Sequence, residues 1–135
     1  MPKLRESKID KVYQAVLDRL PSNYPQADLV VHQTITELRE CFNDCDGDEE
    51  GDPPYAFCDS DDYTIHVSYA FYNENIQSMS WYFLHEIGHL YALERYGKDD
   101  PRWKDFDLAE KYADSFADRW VKKLKEEDWF KLIKF

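Results

Sequence analysis

Two histidines and a glutamate at fixed spacing are the residues of this chain best suited to chemistry. His85, Glu86 and His89 form a His-Glu-x-x-His motif inside a mostly apolar run that predicts a helix. At about 100° per residue, both imidazoles leave the same helix face one turn apart, so both can bind one metal ion. Glu86 then lies beside the ion, where its carboxylate can take a proton from a water that the ion activates. The motif indicates a zinc site with the chemistry of a metallohydrolase.

A catalytic zinc site needs a third protein ligand, and a second predicted helix offers one. Tetrahedral catalytic sites use three protein groups and a water. Glu110 and Asp114 are four residues apart in the helical stretch that begins at Leu108. The small residues Ala113 and Ala117 lie near the same face, which would allow two helices to approach closely. We therefore expect Glu110 to reach the metal and Asp114 to accept the spare N–H of a ligating histidine. The other interpretation of this pair is a solvated acidic helix face.

Other choices of third ligand fail on spacing. The metzincin pattern requires Gly three residues after the second His and His or Asp three residues further on, where this chain has Ala92 and Arg95. Glu94 is nine residues after His85, which places it on the opposite side of the helix. Glu110 is therefore the predicted ligand.

The motif and its spacing resemble the gluzincin clan of zinc metallopeptidases, typified by thermolysin. Glu110 follows His89 by 21 residues, and an Asp follows Glu110 by four. In that clan the later Glu is the third zinc ligand, and the Asp one turn on supports a ligating His. The resemblance thus implies the ligands His85, His89 and Glu110, the catalytic base Glu86 and the supporting residue Asp114.

A closer resemblance is to the ImmA/IrrE group of small intracellular metallopeptidases, over roughly residues 55–121. It rests on a strand at 63–68, an aromatic lead-in, the motif with Gly88 before the second His, and Glu-x-x-Ala-Asp-x-Phe-Ala. The length is similar to that of the minimal single-domain enzymes called minigluzincins. Asp114 stands where the group usually has Asn, and the Leu-Leu-x-Pro that often ends its helix is missing from this sequence.

Length and charge limit the function classes. The 135 residues suit one domain, and no apolar run approaches the length of a membrane span. The first 20 residues lack the apolar stretch of a secretory signal, which predicts a cytoplasmic protein. A formal net charge of −11 repels phosphate backbones and anionic lipid, so direct binding to nucleic acid or membrane is not expected. The expected partners are a protein or peptide substrate and a regulatory protein.

The three cysteines and the acidic run suggest no further motif of comparable strength. Cys41, Cys45 and Cys58 are too few for a disulfide framework and are interpreted as free thiols. The first two would contribute to a second metal site only if they shared a helix face. Within the acidic run 44–52, a match to the start of a calcium loop is formed by Asp46, Asp48, Glu50 and Gly51, but Phe57 stands where the closing Glu belongs. We interpret 44–54 as a solvated, mobile loop and leave open whether 44–52 binds a cation.

The rest of the chain predicts a minimal α+β, zincin-like domain spanning 1–135. Helical spacing of apolar residues over 8–20, closed by Pro21, predicts a core-facing backing helix. Residues 29–35 predict a strand, with helix competing over 36–42, and His32 is interpreted as structural. The stretches 55–58 and 63–69 predict two strands joined by an acidic turn. We expect a short, twisted, mostly antiparallel sheet. The resemblance to zincins implies that 63–69 forms the edge above the cleft, where an extended substrate can add as another strand.

The sequence does not choose the group that stabilises the oxyanion. His66 could contact substrate or polarise its carbonyl, and its alternative is a surface side chain. The candidates are His66, Tyr69, Tyr72, Tyr91 and Tyr112.

The ends of the two metal-binding helices are also predicted. Residues 71–80 are predicted as a loop, with Ser78 or Ser80 capping the His helix, and Gly97 as its end. A polar linker is predicted over 98–104. Gly88 inside the helix predicts close packing against a neighbour.

The apolar tail at 125–135 has two predicted destinations. It either packs on the core or occupies the cleft and makes the enzyme latent. The second case is the alternative function: an inactive or latent zincin-like interaction module.

Overall fold

The computed structural model describes residues 2–44, 56–68 and 75–133, with side chains described from residue 8 to 41 and throughout the other two ranges. The fold is α+β, mostly helical, with a small three-stranded mixed sheet. The elements are α1 (Pro2–Arg19), β1 (Asp28–His32), α2 (Ile35–Asp44), β2 (Ala56–Asp59), β3 (Thr64–Ser68), α3 (Ile76–Tyr96), α4 (Pro101–Lys104), α5 (Phe106–Glu126) and α6 (Trp129–Leu132). The α+β prediction is confirmed.

Helix α1 supplies one wall of the core, as its apolar spacing predicts. Five residues at helical spacing are buried, namely Ile9, Val12, Tyr13, Val16 and Leu20. The Tyr13 hydroxyl donates a hydrogen bond of 2.5 Å to the carbonyl of Ala27, which ties α1 to the chain entering β1. Burial raises the pKa of this phenol, so it remains a donor at neutral pH.

The sheet has the order β1-β3-β2, and this corrects two predictions. Strand β3 is central rather than at the edge, because β1 pairs with its second side. The sheet is mixed rather than mostly antiparallel, since β1 runs parallel to β3 and only β2 is antiparallel to it. The parallel pair follows from the long connection through α2, because parallel neighbours need a crossover.

The two faces of the sheet have different surroundings. Ile65 and Val67 of β3 belong to the main apolar core, together with residues of α1 and α3. Alternation of side chains along the strand puts His66 on the opposite face. There it is buried, at 7 % exposure, rather than on the surface. The sheet therefore separates the neighbours of His66 from the core face.

Helices α3 and α5 pack closely, and Gly88 shows why this packing selects a glycine. A Cβ built on Gly88 would lie 3.1 Å from three side-chain atoms of Phe116 on α5. Ala113 and Ala117, also on α5, are buried. The prediction of close approach through small residues is confirmed.

Several element boundaries differ from the predictions. Helix α3 begins at Ile76, inside the predicted loop, because the Asn75 side chain caps it by accepting from Ser78 N. Ser80 instead donates its hydroxyl to the carbonyl of Ile76. The predicted polar linker contains α4, whose cap is Asp100. Asn and Asp cap helices as well as Ser does, which explains both corrections.

The end of α3 and the C-terminal segment agree with the predictions where the structure describes them. Gly97 ends α3 with φ of 92°, a conformation that favours glycine. Trp129 and Phe130 of α6 pack against the apolar core, the first of the two predicted destinations. The acidic segment from 45 to 55, and with it any cation site there, lies outside the described residues. None of the described helices is both long enough and apolar enough to cross a bilayer.

Candidate metal centre

Three side chains from α3 and α5 converge on one point. His85 Nε2 lies 3.1 Å from His89 Nε2. Glu110 brings one carboxylate oxygen to 3.1 Å from His89 Nε2 and the other to 3.2 Å from His85 Nε2. Together these residues form a group that could hold a metal ion. The structure thus brings together the three predicted ligands.

The spacing of these atoms fits tetrahedral coordination. Nitrogen and oxygen ligands about 2.0–2.1 Å from one tetrahedral ion are roughly 3.3 Å from each other. The three observed separations of 3.1, 3.1 and 3.2 Å fall within a few tenths of an ångström of that value. A small ion with nitrogen and oxygen ligands therefore fits between the three side chains without rearrangement of either helix.

Two rows of residues at four-residue spacing explain the convergence. One row on α3 contains Trp81, His85 and His89, and the facing row on α5 contains Glu110, Asp114 and Asp118. They pair in antiparallel order: His89 with Glu110, His85 with Asp114, and Trp81 with Asp118. Residues four apart share a helix face, so each turn of α3 meets one turn of α5. The packing of the two helices fixes the ligands.

The side of His85 away from the ligand atoms is held by two contacts. Its Nδ1 is 2.9 Å from Asp114 Oδ1, a short contact whose alignment is outside that of an ordinary hydrogen bond. Trp81 stacks on the imidazole at 5.2 Å between ring centroids, and the indole N–H donates a 2.8 Å bond to Asp118. These contacts turn Nε2 of His85 toward His89 and Glu110.

The charges of the centre favour an ionised Glu110 and a basic His85. Hydrogen bonds from His85 and His89 hold the pKa of Glu110 well below its usual range. Burial acts to lower the pKa of His85, but the hydrogen bond with Glu110 and the carboxylates of Glu86, Glu110 and Asp114 outweigh it. The net result is a raised pKa for His85. A cation placed here would meet a carboxylate that is already charged.

Glu86 is buried next to the two histidines and has a partner that the sequence did not reveal. Burial raises the pKa of its carboxyl group, partly opposed by the nearby histidines. The Cys58 thiol on β2 is hydrogen-bonded to it. Burial and the charge of Glu86 raise the pKa of Cys58, so this thiol keeps its proton and remains a donor. A carboxyl group with a raised pKa suits proton transfer near neutral pH.

The centre is open to solvent on one side. The side chains of His85 and His89 are 10 % and 12 % exposed, whereas that of Glu110 is 41 % exposed. The group that the described residues form contains three ligands. Three protein ligands with solvent access are what a catalytic zinc site uses, with water as its fourth ligand.

Among the described residues, the candidates for oxyanion stabilisation lie away from this centre. His66 lies on the face of the sheet opposite Ile65, whereas Cys58, paired with Ile65, reaches Glu86 from the core face. Tyr91 and Tyr112 line a cavity of about 310 Å³ together with Tyr24, Phe116 and Trp120. Tyr69 and Tyr72 lie outside the described residues.

Sequence reasoning missed Trp81, Asp118 and Cys58. Trp81 and Asp118 carried a usable signal, because each is four residues from a predicted site residue on the same helix face. Cys58 carried none, since its contact with Glu86 depends on how β2 lies against α3. His32 and Cys41, whose positions in the sequence only weakly indicate a site, lie next to His66.

Comparison with protein-family models, with curated proteins and with solved structures finds no match.

Proposed function

We propose that this chain is a zinc-dependent metallopeptidase of the gluzincin type, built on a zincin-like domain. His85, His89 and Glu110 hold the zinc ion, and Glu86 is the general base. The observation that carries the proposal is the triangle of His85 Nε2, His89 Nε2 and Glu110 carboxylate oxygens, with sides of 3.1–3.2 Å, beside a buried Glu86. Two imidazoles and a carboxylate, with solvent access, are the ligand set of known zinc peptidases.

When bound, zinc lowers the pKa of water toward about 7 and polarises a peptide carbonyl. Glu86 accepts the proton that water loses as its oxygen bonds to the carbonyl carbon. The same carboxyl then donates this proton to the leaving nitrogen as the C–N bond breaks. Burial raises the pKa of Glu86 above that of an ordinary carboxyl, which favours its accepting the proton from water, and the geometry places it beside both histidines. The thiol of Cys58 orients the carboxylate by donating to it.

Strand β2 is the element suited to bind an extended peptide. Among the described strands, β2 lies at an edge of the sheet, next to β3 only. It also contacts α3, and its Cys58 reaches Glu86. A peptide that adds to this edge would run alongside the base. This assigns to β2 the substrate role that the sequence analysis gave to the next strand.

The metal part of the proposal is tested by elemental analysis of the purified chain beside His85→Ala and Glu110→Ala. We expect bound zinc in the wild type and about one zinc ion fewer per chain in both variants, because each substitution removes one of three ligands. Asp107→Asn is the matched control, since Asp107 is an exposed carboxylate on the same helix as Glu110. A wild-type chain that takes up no zinc after dialysis against it would overturn the proposal.

The catalytic part is tested with Glu86→Gln on a mixed peptide library, with cleavage products read by mass spectrometry. We expect zinc retention with loss of hydrolysis, because Gln cannot take the proton. The variant should also be at least as stable as the wild type at neutral pH, since burial disfavours the charged form of Glu86. Undiminished cleavage by Glu86→Gln would show that another group is the base.

A further inference from the structure

We propose that His32, Cys41 and His66 form a second metal site, suited to zinc, which ties helix α2 to the sheet. The three residues come from β1, α2 and β3, so their meeting depends on the fold and not on local sequence. One ligand atom of each lies within 4.8 Å of the others. The site is separate from the centre on α3 and α5 and shares no residue with it.

The distances suit a tetrahedral ion with one sulfur ligand. Cys41 Sγ lies 3.6 Å from His66 Nδ1, which is roughly the separation of sulfur and nitrogen ligands on one zinc ion. His32 Nε2 lies 2.9 Å from the same Nδ1, a few tenths of an ångström below the separation of two nitrogen ligands. A small rotation of the half-buried His32 ring would increase this nitrogen–nitrogen distance to the value for two ligands of one ion.

The surroundings of His66 hold its ring in place for this role. Its side chain lies on the face of the sheet away from the main core, with 7 % exposure. The ring of Phe57 on β2 stacks on it at 4.6 Å between centroids and 8° between planes. His32 lies on its other neighbour, β1, at 5.1 Å between ring centroids. His66 is thus confined, with Nδ1 directed at His32 and Cys41.

The ligand types select the metal. A thiolate and two imidazoles favour zinc or another borderline-soft transition metal over calcium or magnesium, which prefer oxygen ligands. The Cys41 thiol loses its proton to solvent when the metal–sulfur bond forms. Solvent completes the coordination next to the half-buried His32 and Cys41.

The described side chains of helix α2 show why such a tie would matter. Among its described side chains, 35–41, only Leu38 is buried, and Ile35 is 50 % exposed. Leu38 is also outside the main core cluster. The described side chains of α2 thus contribute little apolar burial, and a metal bound to Cys41 on α2 and to two strands would add an attachment to the sheet.

Cobalt(II) tests the site directly, because a thiolate bound to cobalt gives a near-ultraviolet charge-transfer absorption that a histidine–carboxylate site does not. The experiment uses the full-length chain carrying His85→Ala and Glu110→Ala, so that the first centre is removed. We expect this absorption with about one equivalent of cobalt, and its competitive loss on addition of zinc. Absence of the absorption under these conditions would overturn the proposal.

Variants assign the ligands. Cys41→Ser, in the same background, should abolish the absorption, and His32→Ala should weaken cobalt binding at least tenfold. These two half-buried positions are chosen because substitution of buried His66 also risks the fold. Cys58→Ser is the matched control and should leave the absorption unchanged, and Cys45 is kept in every variant. An absorption that survives Cys41→Ser, or disappears in Cys58→Ser, would contradict the assignment.

The test also separates this proposal from the proposed peptidase activity. The sulfur absorption reports only on the thiolate site, whereas zinc lost on His85→Ala reports only on the centre of α3 and α5. Either result can fail while the other stands.

Discussion

Asp114 illustrates how a residue beyond the ligands contributes to this centre. Its carboxylate lies 2.9 Å from Nδ1 of His85, and its side chain is 52 % exposed. Replacing it by Asn removes the charge while keeping the shape, so His85 becomes a weaker and less well oriented ligand. We expect zinc affinity to fall about tenfold, the lower end of the usual range, because solvent already screens the contact.

Chelator competition measures this effect. Asp107→Asn, an exposed carboxylate on the same helix, is the control for loss of charge alone. Equal affinities in both variants would mean that overall charge, and not the contact with His85, matters.

The residues of the first centre were predictable because they follow helical periodicity. His85 and His89 share a face of α3, and Glu110 and Asp114 share a face of α5, whatever the rest of the fold does. Cys58 was not predictable, since its contact with Glu86 requires the placement of a strand against α3. The cluster of His32 with His66 was missed for the same reason.

At the scale of elements, the packing of α3 on α5 decides the position of Glu110 relative to the two histidines. Gly88→Ala tests this packing. Alanine favours a helix over glycine by about 1 kcal/mol. Its Cβ, however, would lie 3.1 Å from Phe116 Cβ, Cγ and Cδ1, and Phe116 Cβ cannot move away without α5. Overpacking of this kind costs about 1–3 kcal/mol, so we expect a net loss of stability and weaker zinc binding.

Urea unfolding and zinc titration measure the two consequences for Gly88→Ala. The double variant Gly88→Ala/Phe116→Ala is the informative companion, because it removes Cγ and Cδ1 from the contact. It should recover part of the zinc affinity while losing core stability. A Gly88→Ala chain that gains the full helix propensity and binds zinc normally would show that the close contact is not a constraint.

The order of elements was partly predictable and the order of strands was not. The backing helix, the hairpin of β2 and β3, and the two long helices follow from local spacing and turn residues. The central place of β3 depends on its pairing with β1, which is 32 or more residues away in sequence. The residue pattern of β1 does not specify which strand it pairs with or in which register. The helix boundaries at Asn75 and Asp100 were missed because several residues nearby are equally good caps.

At the scale of the whole molecule, the sheet divides the chain into two chemically different sides. On one side lies the apolar core, which contains residues of α1 and α3. Glu86 is buried on this side. On the other side α2 contacts the strand that carries His66, and among its described side chains only Leu38 is buried. The net charge of −11 favours cations over phosphate backbones as ligands of this chain, and we propose a metal site on each side. Metal binding and stability should therefore be linked, and pH should control the link.

As the pH rises, protonated His85 contributes less to the stability of the metal-free chain, whereas zinc affinity at the first centre should increase. In the metal-free chain, nearby carboxylates raise the pKa of His85 above its ordinary value of 6.5. The stability that protonated His85 contributes is fully present below about 6.5 and is lost as the pH rises through its raised pKa. Zinc requires the unprotonated imidazole, so zinc binding strengthens over the same interval. Glu110 remains ionised throughout, because its pKa is strongly lowered.

We therefore expect the increase in melting temperature caused by zinc to be largest above the raised pKa of His85 and to shrink as the pH falls through it toward 6.5. Thermal unfolding with and without zinc, over a pH series, measures this in the Cys41→Ser background, so that the thiolate site does not contribute. The stabilisation follows RT ln(1 + [Zn]/Kd), so each tenfold weakening lowers it by about 1.4 kcal/mol. His85→Ala should show no such pH-dependent gain. A zinc effect that is constant from pH 8 to about 6 would mean that His85 is not a ligand.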